Sequence, residues 1–229
     1  KIPTTTIGSF PKPSYLPIRD WFDSARGQDG MNTEKTTLEF TAYEENRKEI
    51  HEDLFLKATK EVLTIQENIG IDILTDGEVR RENYVHYHCR HLKGFDFKDL
   101  EQRVVRGGAY KTKLPAIRNR IEHFGNFYAA HDFLSGQSLT KMPLKFTLPG
   151  PLTIMDTSAD CFYNDRISLN IDLAETLNKE ILQLVQSGCR YIQIDEPLFA
   201  RQVDDALSFG IEGIERCFHK VPTDVTKII

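Results

Sequence analysis

The sequence predicts an α/β fold with parallel strands, a (β/α)8 TIM barrel of which these 229 residues supply an incomplete N-terminal part of about five β/α units. Two stretches repeat one pattern, a helix-period segment closed by glycine and followed by a β-rich run ending in acid. The first runs Leu63 to Gly70 and on to Asp76-Gly77-Glu78; the second runs Leu182 to Gly188 and on to Asp195-Glu196. Glycine suits the helix C′ position, where φ is positive. Polar or turn motifs then follow strand after strand: Gly8-Ser9-Phe10-Pro11, Asp76-Gly77-Glu78, Pro149-Gly150-Pro151 and Asp195-Glu196-Pro197. A barrel gathers such C-terminal strand ends into one mouth. An open doubly wound sheet would separate some of them and usually carries a Gly-x-Gly-x-x-Gly fingerprint, which this sequence lacks.

Each element has a local reason. Thr4-Thr5-Thr6-Ile7 reads as the first strand, and residues 24–46, rich in charge and poor in periodicity, read as a long loop after it. Helices are predicted over about 47–69, 80–91, 127–135, 165–187 and 204–218. The fourth is the best supported, because Ile167, Ile171, Ala174, Leu177, Ile181 and Val185 recur at three- and four-residue steps. Leu144 to Leu148 and Val225 to Ile229 complete the strands. No Gly/Ser-rich linker divides the chain, so residues 1–229 read as a single barrel domain, incomplete at its C-terminal end.

The composition, 40% hydrophobic and 28% charged, excludes collagen-like, low-complexity and wholly disordered chains. No run approaches the roughly 18 apolar residues of a membrane span, no secretory leader is evident, and the net charge is −5, so neither membrane nor nucleic acid is expected as a partner. The expected location is cytoplasmic, and the four cysteines are expected to be reduced. Locally the balance reverses. From Arg80 to Arg120 eleven Lys/Arg stand against four acids, a surplus of +7 that could hold an anionic small molecule or serve as a solvated surface.

Acids at the ends of buried strands need a ligand ammonium, a metal or an arginine to offset desolvation, so Glu78 and Asp195 are candidate anchors for a cationic group. A structural pairing of Glu78 with Arg80 or Arg81, or an N-cap role for Asp195, is the competing reading. Gly8-Ser9 offers N–H groups and a hydroxyl to a carboxylate, or forms a plain turn. In His86-Tyr87-His88-Cys89-Arg90-His91 the candidate ligands fall on different helical faces, so no local four-ligand metal set forms.

Taken together, Thr4-Thr5-Thr6-Ile7-Gly8-Ser9-Phe10-Pro11, Asp76-Gly77-Glu78 with Arg81, Leu148-Pro149-Gly150-Pro151-Leu152-Thr153-Ile154 and Ile192-Gln193-Ile194-Asp195-Glu196-Pro197 resemble, in order, the catalytic C-terminal barrel of the cobalamin-independent methionine synthase family, most of all its short single-barrel members. The resemblance implies zinc-dependent transfer of a methyl group from a 5-methyl-tetrahydrofolate to the thiol of homocysteine, forming methionine. It implies that Ile7, Gly8 and Ser9 hold the amino-acid carboxylate, that Glu78 and Asp195 hold its ammonium group, and that Arg103 or Arg106 meets a glutamylated folate tail. Zinc ligands are expected beyond residue 229. Asp156-Thr157-Ser158 stands where the family carries an aromatic folate platform, which leaves open alkyl transfer to another thiol within the superfamily. A non-catalytic barrel that binds an amino acid or anion is the remaining alternative.

Overall fold

The computed structural model describes residues 2–18, 33–46, 51–105 and 110–229. In chain order its elements are α1 (Thr33–Asn46), α2 (Glu52–Asn68), β1 (Leu74–Thr75), α3 (Tyr84–Cys89), β2 (Leu92–Val105), β3 (Tyr110–His123), α4 (Tyr128–Gln137), β4 (Leu144–Pro149), α5 (Pro151–Asp156), β5 (Ala159–Asp160), α6 (Arg166–Gln186), β6 (Tyr191–Asp195), α7 (Val203–Asp205), α8 (Ile211–Cys217) and β7 (Thr226–Ile228). A wider π-type turn, Ala206–Gly210, joins α7 to α8, so the helix predicted over 204–218 is interrupted.

Strands β1, β4, β6 and β7 pair in that order, all parallel, and Thr5 adds one parallel bridge to Ile73 on the β1 side. Every barrel strand therefore lies beside its predecessor in sequence, with no reversal of order. This is the progression of a (β/α)8 barrel rather than of a doubly wound sheet, whose order switches at the ligand crevice.

Both Gly-closed helices end alike. Gly70 and Gly188 adopt φ of +80° and +96°; Ile71 N–H donates to Gln66 O at 3.1 Å and Cys189 N–H to Leu184 O at 3.0 Å. These are the same six-to-one caps, and each turns the chain directly into a strand. Residues of β4 and β6 then alternate. Phe146, Leu148, Ile192 and Ile194 pack with Leu173, Leu177 and Ile181 of α6 in the buried core, while Lys145, Thr147 and Gln193 make polar contacts across the strand ends.

Two expectations need correction. The stretch 24–46 is not wholly a loop: α1 occupies its second half, while residues 24–32 lie outside the described residues. The helix is hidden because, among its described side chains, only Phe40 and Thr37 are deeply buried, and polar contacts, including Glu34 to Lys113 and Thr37 O to Arg90, help to hold it. From Leu92 onward the basic segment is the antiparallel hairpin β2–β3, whose far strand also pairs with β5. Its irregular register, shifted at two places, blurs the two-residue alternation by which a strand is read from sequence.

That hairpin is not a free cationic patch. Of the eleven basic residues between Arg80 and Arg120, all but Arg106, which is outside the described residues, and Lys111 form ion pairs, several with acids from other elements: Arg80 with Glu52, Lys98 with Glu45, Lys113 with Glu34 and Arg120 with Asp172. No helix among the described residues is long and apolar enough to cross a membrane.

Candidate functional site

The sharp turn after β1 sets the site. Gly77 and Glu78 are both left-handed, at φ of +71° and +55°, and the Glu78 N–H donates to Asp76 Oδ1 at 2.9 Å. A left-handed glutamate costs about 1–2 kcal/mol, a strain that clusters at functional positions. The turn presents the Glu78 carboxylate to the next strand, where Thr147 donates its hydroxyl to Glu78 Oε1 at 2.6 Å. Arg81 lies 3.5 Å from the same oxygen and donates to Thr147 O at 2.9 Å, so the structural pairing foreseen for Glu78 exists. Both contacts are to Oε1, and the side chain still faces a cavity.

That cavity, about 440 Å3, is lined by Ile7, Ser9, Glu78, Tyr84, Asp195 and Glu196 among others. Four of the residues singled out from sequence, at positions 7 to 195, thus meet in one space. Gly8 stands behind Glu78. A Cβ there would lie 2.6 Å from Glu78 Oε1 and 3.2 Å from Thr147 Cγ2, so only glycine lets the first segment close against the carboxylate.

Asp195, the last residue of β6, accepts from Gln193 Nε2 at 2.6 Å. Gln193 in turn donates to Ile7 O at 3.1 Å and accepts from Lys145 Nζ at 2.5 Å, and that ammonium also donates to Thr6 O at 2.6 Å. One buried lysine therefore ties the first segment to β6. Burial lowers the Lys145 pKa, and burial together with the nearby Glu78 charge raises that of Asp195. Asp195 does not cap a helix; Glu196 occupies the position before the short turn Pro197–Ala200.

Sequence reading missed Tyr84, Thr147, Lys145, Gln193 and Glu196. A polar residue at every second position of an otherwise apolar strand was the available signal for Lys145 and Thr147. Tyr84 starts α3, capped by Asn83 Oδ1, which accepts from Val85 N–H at 2.9 Å and His86 N–H at 3.0 Å. Burial and the neighbouring Asp195, Glu196 and Glu78 push the Tyr84 hydroxyl up to about 12. It stays protonated at the cavity wall.

Arg103 lies on β2 and donates to Asp160 O at 2.9 Å; it does not line the cavity, and Arg106 is outside the described residues. Among the described residues no three His, Cys, Asp or Glu side chains come together as a metal site. In the His86–His91 run, His86 meets Thr37 and Thr157 O, His88 meets the Tyr128 hydroxyl, and His91 stacks on the Tyr128 ring at 4.2 Å.

Comparison with known proteins agrees with this architecture. The family profile described as cobalamin-independent synthase, catalytic domain, matches residues 2–208. A methionine synthase of Saccharolobus islandicus is 32% identical over 213 residues, covering 93% of this chain and 58% of that protein; one of Sulfolobus acidocaldarius is 30% identical over 220 residues, with the same coverage. A solved B12-independent methionine synthase from Shewanella sp. W3-18-1, in complex with selenomethionine, is similar with a TM-score of 0.76 at 29% identity, over 96% of this chain and 58% of that one. The chain thus spans somewhat over half the length of these relatives. On its ordered motifs, its strand progression and the match over nearly its whole length, the chain belongs to the cobalamin-independent methionine synthase catalytic-domain family.

Proposed function

We propose that residues 1–229 form one barrel domain of a methyltransferase that moves a methyl group from a 5-methyl-tetrahydrofolate to the sulfur of homocysteine. The observation that carries this reading is the convergence of Ile7, Ser9, Glu78 and Asp195 on one cavity. An α-amino acid needs two opposed recognitions. Backbone N–H groups of the Ile7-Gly8-Ser9 segment and the Ser9 hydroxyl suit its carboxylate, and Glu78 with Asp195 suits its ammonium group. The selenomethionine of the Shewanella relative supports an amino-acid thioether as the occupant. In the reaction the homocysteine sulfur forms a bond to the methyl carbon, the bond from that carbon to the folate nitrogen breaks, and its electron pair stays on nitrogen, which then takes a proton.

Zinc, implied by the family, has no ligand set among the described residues, so no step is assigned to it in this chain. For a glutamylated folate tail the reading rests on the +7 balance of residues 80–120, with Arg103 itself paired to Glu101. A second reading, alkyl transfer involving another thiol or donor, is favoured by the segment after α5. There Asp156 accepts from Gln202 Nε2 at 2.9 Å, and Thr157 returns its hydroxyl to Thr153 O, with no aromatic side chain at positions 156–158.

The test is calorimetric titration with methionine, followed by methyl-transfer assays over a panel of thiols and donors. Glu78→Gln and Asp195→Asn should each weaken methionine binding by about 1–3 kcal/mol through loss of a charged hydrogen bond. Unchanged affinity in both variants would remove the amino-acid cradle.

A further inference from the structure

The cavity holds a third carboxyl that neither the anchors nor the metal chemistry uses. Glu196 is 7% exposed and lines the same space as Glu78 and Asp195. Its Oε2 accepts from Leu152 N–H at 2.9 Å and its Oε1 from the Thr153 hydroxyl at 2.6 Å, so it grips the first turn of α5. Gly150 leaves it room: a Cβ at that position would sit 2.1 Å from Glu196 Oε2. Beside it the Gly150 N–H donates to Asp195 O at 2.8 Å, so the same clamp fixes the backbone of the second anchor.

We infer that Glu196 is a further binding residue of this cavity, a carboxyl that positions Asp195 and ionises when an ammonium-bearing ligand enters, so that binding is linked to release of a proton. The inference rests on the amino-acid reading above. Facing Glu196 are Asp195 from β6, Tyr84 from α3, Cys217 from α8, and Glu78 across the cavity. None of these is a cation; Arg201, from the turn after Pro197, acts on the neighbouring Tyr84, and the first turn of α5 offers Glu196 hydrogen bonds. Burial raises the Glu196 pKa to about 7, with the Thr153 and Leu152 hydrogen bonds opposing the rise and Asp195 adding to it. A ligand ammonium supplies the missing positive charge and favours the ionised form.

The experiment is calorimetric titration of the protein with methionine at pH 5.5, 7 and 8, each in two buffers of different ionisation heat, for the wild type and Glu196→Gln. Glutamine keeps an oxygen for the Leu152 N–H and a polar end for Thr153, so the clamp survives while the charge is lost. Expected are about tenfold weaker binding by Glu196→Gln at pH 8, near-equal binding at pH 5.5, and release at pH 7 of roughly half a proton more by the wild type. The deaminated analogue 4-(methylthio)butanoate should release none. Equal affinities and equal proton release in both proteins, or a loss by Glu196→Gln that is the same at every pH, would overturn the inference while leaving the amino-acid site standing. Failure of the wild type to bind methionine would instead overturn the amino-acid reading, and this inference with it. Should Glu196→Gln not fold, Thr153→Val keeps the carboxyl and removes a bond that favours its ionised form. The midpoint of proton release should then move to higher pH, and an unmoved midpoint would overturn the inference.

Discussion

The hydroxyl of Thr147 donates to Glu78 Oε1 across 2.6 Å, joining the middle of β4 to the left-handed turn that follows β1. Both residues are buried, and the same hydroxyl lies 3.0 Å from Arg81 Nη1. Thr147→Val keeps the shape but withdraws this partner from a buried carboxylate. Stability should fall by about 1–3 kcal/mol, the cost of leaving such a group short of a hydrogen bond, as read by urea denaturation.

Gly8→Ala probes the same carboxylate from the other side. The added methyl would stand 2.6 Å from Glu78 Oε1, with Thr147 Cγ2 at 3.2 Å blocking an easy retreat. Displacing the carboxylate loses a charged hydrogen bond to the ligand, so methionine affinity should drop roughly 10- to 100-fold in calorimetry. Wild-type affinity in a folded Gly8→Ala protein would show that Glu78 does not face the ligand.

Lys145 is 1% exposed and serves Thr6 O, Ile7 O and Gln193 Oε1 together. Lys145→Met fills the space but leaves those acceptors without their donor. We expect a loss of about 2 kcal/mol in stability. Hydrogen exchange should show faster exchange around Thr6 to Ser9, the segment the ammonium holds, before the strands themselves are affected.

Stability of the ligand-free protein should depend on pH through Glu196. Burial pushes its folded pKa up to about 7, above the ordinary value of 4.5, so the folded state retains a proton that the unfolded chain releases. The associated stability is complete below about pH 4.5 and is lost as pH rises through about 7, by up to roughly 3 kcal/mol. Denaturant unfolding between pH 4.5 and 8 should show this slope in the wild type and a flatter one in Glu196→Gln. Equal slopes would count against the raised pKa.

Much of the architecture was legible because it follows from local rules. The glycines at 70 and 188 end their helices in positive φ, while the stripe read along α6 holds only in part: Ala174, Leu177 and Ile181 are buried, Ile167 is exposed, and Leu169, Leu173 and Leu184 complete the buried face. The acids at 78 and 195 were readable as strand-end groups for the same reason. Helix α1 and the hairpin were not readable, since their stability comes from contacts such as Lys113 to Glu34 and Arg90 to Thr37 O, distant in sequence.

What the sequence determined by itself was the alternation of helices and parallel strands, and the set of residues at the strand ends. Tertiary structure alone decided that Ile7, Ser9, Glu78 and Asp195 share a cavity, that Glu196 joins them, and that the basic segment from Arg80 to Arg120 spends its charge on ion pairs. Local propensity acts over a few residues, whereas the environment of a carboxylate is set by whatever the fold brings within a few ångströms of it. Only closure of the strands side by side places Lys145, Thr147 and Glu196 near their partners.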